Sequence, residues 1–103
     1  DYLSIESEGI PTEFALHENY PNPFNPTTQI RFDLAEMGNV TLAIYNMLGQ
    51  KVKTFNMQSA QAGYHSLTWN ATNDLGAPVS GGVYLYQLQT KGFIKTKKMV
   101  LLK

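Results

Sequence analysis

His17, His65, Ser66 and an oxygen-rich stretch at Asn70, Thr72, Asn73 and Asp74 are the residues whose types suit catalysis or metal binding, and their spacing argues against both. His65 shares strand parity with Leu67 and Trp69. As a buried base or a metal ligand it would need a second histidine or a carboxylate at matching spacing, and without one it reads as the polar end of a core face. Ser66 is its neighbour, but adjacent residues on a strand point to opposite faces, so the two make no nucleophile and base pair. His17 stands alone beside Glu18. Calcium takes about six to eight oxygens, usually with more than one carboxylate, and the stretch at 70–76 has only Asp74. Asx-type hydrogen bonds that close a turn before Gly76 account for its composition. Tyr20, Phe24, Tyr45, Phe55 and Tyr64 would form the sugar-stacking platform of a carbohydrate-binding module if several shared an exposed face; in a small β domain most such rings are expected in the core or at its rim. With no acid/base pair and no nucleophile constellation, the expectation is a protein that is not an enzyme and needs no metal or cofactor.

The totals agree with a binding or structural module. A chain of 103 residues forms one domain, with room for a two-layer core. Eight basic and eight acidic side chains cancel, so no net field favours nucleic acid or an anionic membrane. Seven of the eight acids lie between Asp1 and Glu36, and five of the eight basic residues are lysines from Lys91 onward. The chain is therefore acidic at its start and basic at its end. Without cysteine, stability must come from packing. No apolar run approaches the roughly 18 residues of a membrane span, and no membrane insertion is expected. A chain that begins at Asp1 is expected to be a piece of a longer protein.

Any site must be positioned by strands. Residues 1–12 mix acids, serines, Gly9 and Pro11 without periodicity and read as a linker from an upstream domain. From Glu13 onward, short β segments alternate with turns every eight to twelve residues, which predicts an all-β sandwich of seven antiparallel strands. The expected strands are 14–18; 27–34, with Ile30, Phe32 and Leu34 inward; a third with Val40, Leu42 and Ile44 inward; 51–57, a polar edge strand; a fifth carrying Leu67 and Trp69; 83–90, with Tyr84, Tyr86 and Leu88 on one face; and 93–103. Gly49 supplies the positive φ of the turn after the third strand.

Two segments are left without a routine explanation. In Asn19-Tyr20-Pro21-Asn22-Pro23-Phe24-Asn25-Pro26-Thr27-Thr28 each proline fixes φ near −65° and donates no hydrogen bond, so the segment is a stiff lead-in to the second strand. At the other end, Lys95-Thr96-Lys97-Lys98-Met99-Val100-Leu101-Leu102-Lys103 places four apolar residues between lysines where a frayed polar terminus is the ordinary expectation.

Together with Val40-Thr41-Leu42, Ile44-Tyr45-Asn46, Leu48-Gly49-Gln50, Gly63 with His65 and Trp69, and Gly82-Val83-Tyr84 with Tyr86 and Leu88, these segments resemble the type A C-terminal sorting domain of the type IX (Por) secretion system. The resemblance runs from Phe14 to Lys103. It implies a seven-stranded immunoglobulin-like, fibronectin III-like sandwich that follows a secreted cargo domain and is recognised by outer-membrane secretion machinery. A sortase-like cysteine peptidase then removes it, the cut falling before Phe14, and the cargo is released or anchored at the surface of a Gram-negative bacterium. Recognition would map onto Pro21, Asn22 and Pro23, onto Gly63, and onto Lys97, Lys98, Met99, Val100, Leu101, Leu102 and Lys103. The expected means is pairing of the exposed backbone of the last strand with a partner, steered by its lysines. Relatives often carry aspartate-glycine after the tryptophan, where this chain has Asn70-Ala71. The immunoglobulin-like domain of the flagellar hook-capping protein is also similar, through its Gly-Val-Tyr and Trp strands, and implies scaffolding instead.

Overall fold

A computed structural model describes residues 10–103, and most of the expected linker at 1–12 lies outside them. The seven strands are β1 (Ala15–Leu16), β2 (Thr28–Leu34), β3 (Gly38–Asn46), β4 (Lys51–Ala60), β5 (Gly63–Trp69), β6 (Gly82–Thr90) and β7 (Phe93–Leu101). They form two antiparallel sheets, one ordered β1-β2-β5 and the other β4-β3-β6-β7. This is the expected sandwich. Its core holds the residues that alternation had turned inward: Ile30, Phe32, Leu34, Val40, Leu42, Ile44, Trp69, Tyr84, Tyr86 and Leu88 are all buried. Met99 and Leu101 of β7 and Phe24 of the lead-in join them.

Strand boundaries differ from expectation where side chains or loops take over the backbone. The first strand shrinks to two residues, although the His17 N–H still bonds the Arg31 carbonyl at 3.0 Å. The last one stops at Leu101, because the Leu102 N–H turns to the Phe24 carbonyl. β4 runs to Ala60 and lies at a sheet edge, as its lysines suggested.

Strand register defines two ends of the sandwich. Ala15 opposes Asp33, and the Phe14 and Phe93 rings meet at a tilt of 33° with centroids 5.8 Å apart, so the chain enters at the end where β2 and β4 finish. Thr28 opposes Trp69, Asn46 opposes Tyr84 and Gly82 opposes Leu101, which places the lead-in and the end of β7 together at the other end.

Candidate functional site

The lead-in is strapped along the final part of β7. Phe24 donates its N–H to the Val100 carbonyl at 3.0 Å and accepts from the Leu102 N–H at 2.8 Å, forming an isolated parallel bridge to Leu101. The Val100 N–H is taken by the Asn22 side-chain oxygen at 3.0 Å. Prolines leave few donors for such a strap, and Asn22, lying between two of them, offers a side chain instead. The three X–Pro bonds of the segment, before Pro21, Pro23 and Pro26, are cis. Below the strap the Phe24 ring is buried against Trp69, with centroids 5.8 Å apart, and Trp69 meets Tyr84 edge-on at 5.5 Å.

A polar clasp holds the start of the lead-in. The buried Tyr86 hydroxyl accepts from the Asn19 N–H at 2.9 Å and donates to the His17 carbonyl at 2.8 Å, tying the segment to β6. Burial pushes the Tyr86 phenol up to about 12; the hydrogen bond from Asn19 lowers it and nearby Glu18 raises it. The Asn19 side-chain amide donates to the Thr28 hydroxyl and the Pro21 carbonyl, and that hydroxyl donates to the same carbonyl at 2.8 Å. Two Tyr86 bonds and this small network thus set the path of the prolines before they reach β7.

The residues singled out in the sequence separate into distinct roles. Pro21, Asn22 and Pro23 are exposed, and through Asn22 and the adjoining Phe24 they lie beside Val100 and Leu102. Met99 and Leu101 are buried in the core and cannot meet a partner while the domain is folded. Lys98, Leu102 and Lys103 are exposed, and the half-buried Lys97 pairs with Glu18 at 3.1 Å. Gly63 opposes Leu34 at the entry end and is not part of this group.

The exposed backbone expected of the last strand is confined by this arrangement to part of its length. In an antiparallel pair alternate residues bond the neighbouring strand, so residues with the parity of Val100 point their backbone groups away from β6. At Val100 those groups are occupied by the lead-in. At Ile94, Thr96 and Lys98, all three exposed, no other described residue bonds the edge. The β4 edge is closed over part of its length too: Asp74 donates its N–H to the Val52 carbonyl at 3.0 Å and accepts from the Thr54 N–H at 3.1 Å.

The two histidines and the oxygen-rich loop make local contacts. His65 stacks on Phe32 at 5.3 Å and bonds the Gln61 carbonyl; His17 bonds Asp33 at 2.9 Å. The Asn73 side-chain oxygen accepts the Leu75 and Ala77 N–H groups, and Trp69 donates its indole N–H to the Thr72 carbonyl. Of the aromatics, Tyr20 and Tyr64 are exposed, but they sit beside Gln29 and Asp33, four residues apart along β2, and form no strip. The Asn19 and Tyr86 clasp was missed, although an asparagine before a proline run and a tyrosine among inward residues were its available signals.

Residues 21–92, from the lead-in through β6, match the family described as FlgD Ig-like domain. The chain belongs to that family. The matched segment of the FlgD Ig-like domain ends before β7. No curated protein sequence matches. Among solved structures, dimeric latent PorU from Porphyromonas gingivalis superposes with a TM-score of 0.70 at 22% identity, over 84% of this chain and 9% of PorU. FlgD of P. aeruginosa gives 0.58 at 25% identity, over 72% of this chain and 57% of FlgD. PorZ, an essential bacterial surface component of the type-IX secretion system of P. gingivalis, gives 0.60 at 19% identity, over 86% of this chain and 12% of PorZ. The chain therefore spans a small part of PorU and PorZ and just over half of FlgD.

Proposed function

We propose that this FlgD-type immunoglobulin-like domain is a sorting domain that directs an upstream cargo across the outer membrane through the type IX secretion system, without catalysis of its own. The observation that carries the reading is the bonding of Asn22 and Phe24 to Val100 and Leu102, which joins the two segments that resemble the sorting family into one ridge. The ridge lies at the end of the sandwich opposite the one where β1 begins. Its accessible parts are Pro21, Asn22, Pro23, Leu102 and Lys103. Lys98 and the open edge at Ile94 and Thr96 continue it along β7, available for strand pairing with the secretion machinery. A sortase-like peptidase would cut before Phe14, and the cargo would end in the medium or on the cell surface. The likeness to PorU and PorZ supports the fold that this reading requires.

Family membership favours a second reading, a structural domain of the hook-cap type, in which the same sandwich scaffolds an assembly. A periplasm-directed reporter fused ahead of residues 1–103 separates the two. Expressed in a bacterium with a working type IX system and in its secretion-deficient sibling, the fusion is expected outside the cell only in the former. Periplasmic retention in both, with the domain folded, would favour the scaffold.

A further inference from the structure

Two turns from unrelated parts of the chain are built alike. Asn46-Met47-Leu48-Gly49-Gln50 and Asn73-Asp74-Leu75-Gly76-Ala77 share the pattern Asn-x-Leu-Gly. In each, the asparagine side-chain oxygen accepts the N–H groups two and four residues on, at 3.0 and 3.0 Å in the first turn and 2.9 and 2.9 Å in the second. In each, the asparagine carbonyl accepts the glycine N–H, at 3.0 and 2.9 Å, and the asparagine N–H closes the loop onto the carbonyl of the fifth residue, at 3.0 and 2.9 Å. Gly49 and Gly76 take φ of 82° and 84°. This is a turn followed by a left-handed residue, a geometry that asks for Asn or Asp at the start and Gly at the end. It asks nothing of the position between them. Yet both turns place leucine there, 83% exposed at Leu48 and 92% at Leu75, where polar side chains are usual.

Both tips lie at the end of the sandwich that carries the lead-in and the end of β7. The first turn runs directly into β4 at Lys51, and Asp74 of the second is bonded to Val52 and Thr54 of the same strand. The two turns therefore meet β4 about two residues apart, roughly 7 Å along the strand. Met47 is exposed beside them. Among the described residues the charges carried by β4 and these two turns are Lys51, Lys53 and Asp74, whose carboxylate is engaged by the Thr54 N–H. Rigid turns hold the leucines without the ordering cost that a mobile loop would meet on binding.

We propose that Leu48 and Leu75 are paired anchoring knobs that seat in apolar sockets of the export machinery, on a protein surface whose rim carries carboxylates facing Lys51 and Lys53. This rests on the sorting reading. Its test is export of the reporter fusion in the type IX-competent bacterium, with thermal melting of each purified domain. Wild type, Met37→Asn at the opposite end and the conservative pair Leu48→Met/Leu75→Met should be exported alike. Leu48→Asn/Leu75→Asn should fall at least tenfold with an unchanged melting temperature, and Lys51→Glu should fall severalfold. Should the double variant melt early, the single Leu75→Asn, at the more exposed tip, must still lose several-fold. Export of folded leucine variants at the wild-type level would overturn the knobs while leaving the sorting reading intact. Failure of wild type itself to be exported would overturn both. Purified domain mixed with vesicles of phosphatidylcholine and phosphatidylglycerol should stay unbound; leucine-dependent binding there would overturn a protein socket in favour of a lipid surface.

Discussion

From Phe93 to Lys98 the backbone of β7 pairs, among the described residues, with β6 and leaves Ile94, Thr96 and Lys98 facing outward, whereas from Met99 onward it is enclosed on both sides. Met99 and Leu101 sink into the core, and Val100 and Leu102 are bonded by the lead-in. One strand thus supplies an accessible edge and, a few residues later, a structural clamp. The comparison teaches that loss of function on cutting off the last residues has two separate origins. Removing Met99 to Lys103 takes away a buried part of the sandwich together with any recognition sequence. Only variants confined to the open half, or to exposed groups of the ridge, can separate folding from reading.

The largest effect that would sharpen this contrast belongs to the closed half. Leu101→Ala should destabilise the domain by about 2–5 kcal/mol in urea unfolding, because it leaves a cavity in a well-packed core; a cost below ~1 kcal/mol would mean that the strand end is not clamped as described. Next comes Tyr86, which opposes Lys97 at the junction of the halves and clasps the lead-in through Asn19 and His17. Tyr86→Phe should cost roughly 1–3 kcal/mol near neutral pH, since a buried N–H and a carbonyl lose their partner. Burial raises the phenol in the folded state from its ordinary 10.0 to about 12, so the folded protein holds this proton more tightly than the unfolded chain. The stability it contributes is fully present below pH 10 and is lost as pH rises through about 12. Wild type should therefore lose more stability than Tyr86→Phe over that interval, and equal slopes would contradict the buried clasp.

Asn22→Ala is the smaller lesion. It frees the Val100 N–H at an exposed site, with an expected cost of about 0.5–1.5 kcal/mol and faster amide exchange at Val100 but not at Met99. Unchanged exchange would show that Asn22 does not close the edge. Lys97→Glu should cost only about 0.2–1 kcal/mol, the usual range for a partly exposed ion pair, here that with Glu18.

Much of the fold was legible because period-2 alternation reports which face of a strand is buried. Ile30, Phe32 and Leu34, or Tyr84, Tyr86 and Leu88, turn inward as their spacing requires. Alternation does not report what lies beside an edge. Asn22 and Val100 are 78 residues apart, and nothing in either segment names the other, so the sequence alone does not tell which part of the last strand is covered. Asn22 was singled out by its place between prolines, but its bond to Val100 follows from the path set by Asn19 and Tyr86. The two Asn-x-Leu-Gly turns were each visible as turns; their likeness emerges from shared hydrogen bonds and from the exposure of both leucines. Gly63 was grouped with the recognition residues by resemblance alone, and strand register places it at the other end of the molecule.

The most direct test of the account is export of the reporter fusion carrying Lys98→Glu and Lys103→Glu, two exposed charges outside the core, measured beside wild type in a type IX-competent bacterium. Surface changes of this kind typically alter stability by less than about 0.5 kcal/mol, so the domain should melt as wild type does. The account predicts a folded variant held in the periplasm while wild type reaches the medium. Export of both at the same level would contradict recognition through the accessible groups of the final strand and the ridge beside it.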